Sequence, residues 1–142
     1  MKPQRYFGIA LLVIVVAAAV GLDRLGRDHD ERRYRVDFGR GTTLTAAGER
    51  TIERIAAAMA RQDAYRAIVV GHTGTRGNAQ ANQELGLNRA EAVATALSDA
   101  GIAAERLETH SVGGAEPLER REGEGDRGYR ERLRRAEVVL RP

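Results

Sequence analysis

Four segments of the chain have the pattern of apolar and polar residues that is typical of β-strands. Residues 33–39 alternate apolar with charged side chains, which predicts a half-buried strand ending at Gly39. The continuous apolar run at residues 67–70 ends at a glycine and predicts a central strand covered on both faces. Residues 107–112 and 134–140 predict a third and a fourth strand, the fourth with its apolar residues on one face.

Two segments between these strands have helical periodicity instead. In the first, Ile52, Ile55 and Met59 recur at the spacing of one helix face, and Thr45 is the predicted N-cap. The second predicted helix covers about residues 79–100 and stops before a glycine, which is a common signal for the end of a helix.

The order of these elements predicts an α+β fold. The elements follow as β-α-β-α-β-β, with a charged, glycine-containing loop at residues 113–132 before the last strand. This order implies a two-layer sandwich, in which a small mixed β-sheet carries both helices on one face. We assign residues 36–142 to this domain.

The chain begins with a different kind of segment, residues 1–22, in which residues 6–22 are 17 consecutive uncharged residues. This length lies within the range of membrane-spanning helices, so we expect an N-terminal hydrophobic helix in the membrane. Lys2 and Arg5 precede it and, by the positive-inside rule, keep the N-terminus in the cytoplasm and direct the remainder to the periplasm. Alanines 17–19 equally fit the cleavage site of a secretory signal, which also delivers the domain to the periplasm.

Charge and composition exclude several function classes. The chain has 23 basic and 20 acidic residues, but two basic residues precede the apolar segment, which leaves 21 basic and 20 acidic residues beyond it. This near-neutral surface and the low aromatic content argue against a nucleic-acid partner. Cysteine is absent, which excludes disulfides, thiolate metal sites and lipidation on cysteine. Residues 23–35 mix four acidic with five basic residues and predict a charged tether.

The sequence has no arrangement typical of an enzyme. His29, His72 and His110 lack the spacing of metal ligands, and no G-x-S-x-G motif is present. We therefore expect a non-catalytic protein without a metal or a cofactor.

Three features are candidates for binding an anion. Arg89 and Asn82 flank the buried face of the second helix, where a guanidinium can bind a carboxylate with two parallel hydrogen bonds; the alternative is an arginine reaching into solvent. The glycine-rich turn at residues 71–77 offers backbone N–H groups, unless it serves only as a turn. Arg134 and Arg135 begin the last strand and lie on opposite faces of it, where one of them could bind an anion. The alternative is that these charges at the end of the strand discourage pairing with another strand edge.

Residues 71–93 resemble the signature of OmpA-like C-terminal domains, which bind peptidoglycan. That signature reads approximately G-H-T-D-x-x-G-x-x-x-x-N-x-x-L-S-x-x-R-A. The positions in register are Gly71, His72, Thr73, Gly77, Asn82, Leu85, Arg89 and Ala90. Weaker matches before and after extend the resemblance over about residues 36–140, and the resemblance implies the same two-layer fold.

The resemblance also implies a ligand, the diaminopimelate of the peptidoglycan stem peptide. In the family, the Asp of G-H-T-D binds the ammonium group of this residue and the helix Arg binds its carboxylate. Carried over by position, Arg89 is the carboxylate clamp and Asn82 shapes the pocket. One of the two arginines Arg134 and Arg135 is expected to assist.

This chain departs from the signature around the implied pocket. The departing positions are Gly74, Gly86 and Leu133, where the family has Asp, Ser and Asn. Gly74, next to Thr73 in the implied pocket, removes the partner of the ligand's ammonium group. Asp126 and Glu122 of the predicted loop are the acidic residues that could replace it.

Together these observations predict a cell-envelope protein whose domain binds peptidoglycan, with a site weakened at Gly74. The alternative is a structural or protein-interaction module that has lost wall binding. In that case the domain docks onto another envelope protein through the charged residues 116–132.

Overall fold

The computed structural model describes residues 31–142, which form a four-stranded sheet with helices packed against it. The elements in chain order are β1 (Arg32–Asp37), α1 (Ala46–Arg61), β2 (Arg66–His72), α2 (Ala79–Asp99), a 3-10 turn (Ala104–Arg106), β3 (Leu107–Gly113), α3 (Asp126–Leu133) and β4 (Arg135–Arg141). The strand order is β1-β4-β2-β3, in which β2 and β3 are parallel and β4 is antiparallel to both of its neighbours. The sheet is therefore mixed, as predicted.

The main hydrophobic core lies between the sheet and the two long helices, α1 and α2. Both helices contribute buried side chains to the same cluster as alternate residues of the strands, so they cover one face. The largest contributors are Val36, Phe38, Ile52, Ile55, Met59, Tyr65, Val69, Val93, Leu97, Val138 and Leu140. A smaller cluster of Val70 and Val112, with Ile68 packed against it, lies on the other face.

Helix α1 begins at the N-cap that the sequence predicts. The Thr45 hydroxyl oxygen accepts a hydrogen bond from the backbone N–H of Gly48 (3.0 Å) and donates one to the carbonyl oxygen of Asp37 (3.1 Å). The first bond satisfies an N–H group that has no partner within the helix. The second ties the start of α1 to the end of β1.

Helix α2 lies unusually close to β2, at Gly71 and Gly86. A Cβ atom on Gly71 would overlap the carbonyl oxygen of Gly86, and one on Gly86 would collide with the hydroxyl of Ser111. That hydroxyl donates to the carbonyl oxygen of Gln83 (2.8 Å), within the first turns of α2. Glycine is therefore required at both positions, because any side chain would separate the helix from the sheet.

The structure differs from the sequence-based expectation in three places. Strand β1 begins at Arg32, so the last residues of the predicted tether are part of the sheet. The predicted loop at residues 113–132 contains most of helix α3, which its glycines and charges concealed. Strand β4 begins at Arg135, and the predicted first strand residue, Arg134, is the C-cap of α3.

The predicted N-terminal membrane helix at residues 6–22 lies outside the described residues. Within residues 31–142, none of the helices combines the length and the apolar character needed to cross a membrane.

We predict that Gly71→Ala destabilises the domain by about 1–3 kcal/mol or more, because the added methyl group overlaps the backbone of α2. The matched control is Gly74→Ala, where an added Cβ has no atom within 4 Å and the expected change is about 0.5 kcal/mol or less. Urea unfolding of both variants measures the difference. Equal midpoints for the two variants would contradict the close approach.

Candidate functional site

A cleft of about 350 Å³ opens where the end of β2, the start of α2 and helix α3 meet. Its lining comes from the glycine-rich turn after β2, from α2, and from α3 with the residues on either side of it. The lining residues are Thr73, Gly74, Thr75, Arg76, Asn82, Leu85, Arg89, Arg120, Asp126, Tyr129, Arg130, Leu133 and Arg134.

Arg89 lines the cleft from α2, and it is 2% exposed. Its Nε donates to the carbonyl oxygen of Gly41 (2.9 Å) and its Nη1 donates to that of His72 (2.8 Å). The ring of Phe38 lies beside the guanidinium, with its centroid 5.7 Å from Cζ. Because a guanidinium has five N–H groups, the second N–H of Nη1 and both N–H groups of Nη2 are left for another acceptor.

Among the residues that the structure describes, carbonyl dipoles and not a carboxylate balance the charge of Arg89. Burial, followed by the positive charge of Arg134, lowers the pKa of Arg89 to about 10. Arg89 therefore remains protonated at neutral pH. A buried cation with only neutral acceptors and with N–H groups to spare is a favourable partner for an anion.

Two asparagine side chains that follow the glycine-rich turn stabilise it and the start of α2. The Asn78 Oδ1 accepts a hydrogen bond from the N–H of Ala81 (3.0 Å), so the chain itself caps the first turn of α2. The Asn82 Nδ2 donates to the carbonyl oxygen of Arg76 (2.9 Å). Asn82 lines the cleft, and no hydrogen bond within residues 31–142 uses its Oδ1, which is a neutral acceptor.

Gly74 takes part in the turn through its backbone alone. The N–H of the preceding Thr73 donates to the carbonyl oxygen of Gly113 (2.8 Å), and the Thr73 hydroxyl donates to the carbonyl oxygen of Gly74 (3.0 Å). A Cβ on Gly74 would meet no atom within 4 Å, and its φ lies outside the left-handed region. The position therefore has room for a side chain, and this chain leaves that room empty.

Helix α3 forms the third wall of the cleft and is held by polar contacts. Arg132 donates to both carboxylate oxygens of Glu124, from Nε to Oε1 (2.5 Å) and from Nη2 to Oε2 (2.7 Å). The Tyr129 ring lies 4.4 Å from the Cζ of Arg120, and its hydroxyl donates to the carbonyl oxygen of Leu118 (2.9 Å). The segment predicted to dock onto a partner is thus ordered by its own contacts.

The lining of the cleft carries five arginines and one carboxylate. The carboxylate, Asp126, accepts a hydrogen bond from the Nη1 of Arg120 (2.8 Å), so these two charges compensate each other. Within the part of the chain that the structure describes, no carboxylate lies at ion-pair distance from Arg76, Arg130 or Arg134. The cleft therefore has a positive electrostatic potential.

Five of the six residues predicted from the sequence to bind a ligand lie in this cleft. They are Thr73, Gly74, Asn82, Arg89 and Arg134, which all line the cleft. The sequence left open whether Arg89 reaches solvent, and the structure buries it.

Arg135 does not line the cleft, contrary to its nomination as one of two assisting arginines. It lies on the sheet face away from the main core, because side chains alternate along β4. Its Nε donates to the Oε1 of Glu137 (2.8 Å), and its Nη2 donates to the carbonyl oxygen of Glu116 (3.2 Å). Burial, and next the charge of Arg135, lower the pKa of the adjacent His72 to about 4.

The binding residues predicted from the sequence include none on α3. From this helix, only Asp126 was considered, as a replacement for the acid missing at Gly74. A signal for the helix exists, since Asp126, Tyr129, Arg130 and Leu133 recur at the i, i+3, i+4, i+7 spacing of a helix face. The other alternative acid, Glu122, does not line the cleft.

The sequence model of the OmpA family matches residues 38–131 of this chain. Among solved structures, the peptidoglycan-associated lipoprotein of Burkholderia pseudomallei has a TM-score of 0.66 and is 26% identical. This similarity covers 75% of this chain and 89% of that chain.

Two curated relatives are similar to part of the chain. A peptidoglycan-associated lipoprotein of Agrobacterium fabrum is 34% identical over 77 residues, which cover 54% of this chain and 44% of that protein. The probable lipoprotein YiaD of Escherichia coli is 32% identical over 101 residues, which cover 70% of this chain and 44% of that protein. The chain thus spans less than half the length of either relative.

We predict that Glu124→Gln destabilises the domain at pH 6 and has little effect near pH 2. The hydrogen bonds from Arg132 lower the pKa of Glu124 from 4.5 to about 2. The ionised carboxylate therefore stabilises the fold above pH 4.5, and this contribution is lost as the pH falls through about 2. Urea unfolding at both pH values measures it, with Glu122→Gln as the control from the same segment. A Glu124→Gln effect that is independent of pH would contradict the assignment.

Proposed function

Because this chain belongs to the OmpA family, we propose that its domain is a non-catalytic module that binds peptidoglycan in the cell envelope. The proposal is supported by two similar proteins whose names describe them as peptidoglycan-associated lipoproteins. The bound group is a carboxylate of the stem peptide, of the diaminopimelate type, and Arg89 is its main partner.

One observation carries this function, which is the state of the Arg89 guanidinium. It is buried and protonated, its hydrogen bonds within residues 31–142 go to the carbonyl oxygens of Gly41 and His72, and Arg89 lines an open cleft. An arginine that served only to join these two carbonyls would not need a cleft beside it. The remaining N–H groups of Nη1 and Nη2 form a fork that fits the two oxygens of a carboxylate.

The other nominated residues have supporting roles in this proposal. Arg134 adds a second positive charge beside the carboxylate, close enough to lower the pKa of Arg89. Asn82 and Thr73 hold the shape of the turn against which the ligand rests.

The location follows from the N-terminal segment and from the ligand. We propose that residues 6–22 either anchor the chain in the membrane or act as a cleaved signal, and that the domain lies in the periplasm. Peptidoglycan is within reach of the domain in both cases.

Docking onto another envelope protein through residues 116–132 has less support. Some side chains of this segment make contacts within it, since Arg132 binds Glu124 and the Tyr129 ring lies between two arginines. These contacts order the segment without a partner protein, and the segment forms a wall of the cleft.

We predict that Arg89→Ala and Arg134→Ala both reduce binding of the full chain, in a non-ionic detergent, to purified sacculi. Truncating one partner of a partly desolvated charge pair costs about 2–5 kcal/mol, which is a loss of roughly thirtyfold or more for Arg89→Ala. A smaller loss is expected for Arg134→Ala, because Arg134 is less buried. Co-sedimentation over a range of sacculus concentrations gives the apparent affinities.

The matched control is Arg127→Ala, since Arg127 is highly exposed on α3 and pairs only with Glu131. Arg134→Ala leaves both carbonyl bonds of Arg89 intact, so it separates loss of binding from loss of folding. Sacculus binding that is unchanged in both cleft variants would exclude the proposed site.

A further inference from the structure

The cleft has the charge of an anion site and lacks the charge of a site for a zwitterion. Four of its five arginines have no carboxylate partner among residues 31–142, and its single carboxylate is paired with Arg120. Among the residues that line the cleft, the position where the family signature has an acid is Gly74, which has no side chain. A ligand cation next to the bound carboxylate would therefore meet positive charge without compensation.

The acceptors that do face the cleft beside Arg89 are neutral. Asn82 lines the cleft, and its Oδ1 is not used by any hydrogen bond within the described part of the chain. An amide oxygen accepts a hydrogen bond from an amide N–H, but it provides no negative charge to balance that of an ammonium group. The chemistry of this wall suits an amide next to the carboxylate.

The space at Gly74 fits the same ligand. A Cβ at this position would have no neighbour within 4 Å, so the wall is recessed where an acidic side chain would otherwise stand. Leu85 and Leu133 also line the cleft and provide apolar surface. An acyl group attached to the ligand's nitrogen can occupy this recess without displacing a protein atom.

Asp126 is the one residue that could argue for a zwitterion. Its side chain is 69% exposed, and its Oδ1 accepts from the Arg120 guanidinium at 2.8 Å. An ammonium group at Asp126 would have to compete with this guanidinium. Asp126 is therefore better placed to orient Arg120 than to bind a second cation.

We propose that the cleft binds a carboxylate whose neighbouring amine is acylated, and that it rejects the same group with a free ammonium. This inference rests on the proposed function and specifies its ligand. In a peptidoglycan whose stem peptides contain a diamino acid, cross-linking converts the distal amine of that residue into an amide. The domain then binds cross-linked stems in preference to free ones.

Two synthetic tripeptide stems that end in diaminopimelate test the proposal. One has a free distal amine and the other is acetylated at that amine, and each is titrated into the full chain in a non-ionic detergent by calorimetry. We expect the acetylated peptide to bind roughly tenfold tighter or more, because like-charge repulsion is removed. The difference should shrink as salt is added.

Gly74→Asp supplies the missing charge and should reverse the preference, so that the free amine binds tighter. Gly74→Ala is the matched control, because it fills part of the recess without adding charge, and it should keep the preference of the unmodified chain. Urea midpoints confirm that each variant is folded. A free-amine peptide that binds the unmodified chain as tightly as the acetylated one overturns the proposal.

The remaining outcomes separate this proposal from the proposed function. If both peptides bind equally and Arg89→Ala abolishes both, the carboxylate clamp stands and the acyl preference is wrong. If neither peptide binds, the proposed function itself fails. If the free amine is preferred and Asp126→Asn removes that preference, Asp126 binds the ammonium group and the proposal is overturned.

Discussion

The close contact between helix α2 and strand β2 is the constraint on which the cleft depends. Gly71 and Gly86 let the two backbones touch, and the Ser111 hydroxyl occupies the space beside Gly86. Arg89 follows Gly86 by one helical turn, so the same contact places its guanidinium at the carbonyl oxygen of His72. A side chain at either glycine would withdraw the cation from the sheet and open a gap in the core.

Burying the Arg89 guanidinium costs free energy in the isolated fold. In the proposed function, the same guanidinium binds the ligand. Two carbonyl oxygens offset part of the desolvation of Arg89, while burial and Arg134 still lower its pKa to about 10. In the proposed function, a bound anion supplies the missing opposite charge, so its binding energy is larger here than at an exposed arginine. Function and local destabilisation thus have the same origin.

The scaffold and the chemistry of the cleft are separable in this molecule. The turn that carries Gly74 is held through backbone atoms and through Asn82, so the side chain at this position can change without loss of the fold. Helix α3 is likewise fixed by Arg132, Glu124 and Tyr129 at the surface. A family fold can therefore keep its core while the charge of its site changes.

The sequence by itself determined the elements with strong local patterns: the four strands, the long helices and the Thr45 cap, because periodicity and capping depend on residues close in the chain. It also identified the family and five of the residues that line the cleft. The burial of Arg89 and the packing of α3 against the cleft were decided only by the tertiary structure. Each depends on contacts between distant residues, such as Arg89 with the carbonyl oxygen of Gly41, 48 positions apart, and such contacts leave no periodic signal in the chain.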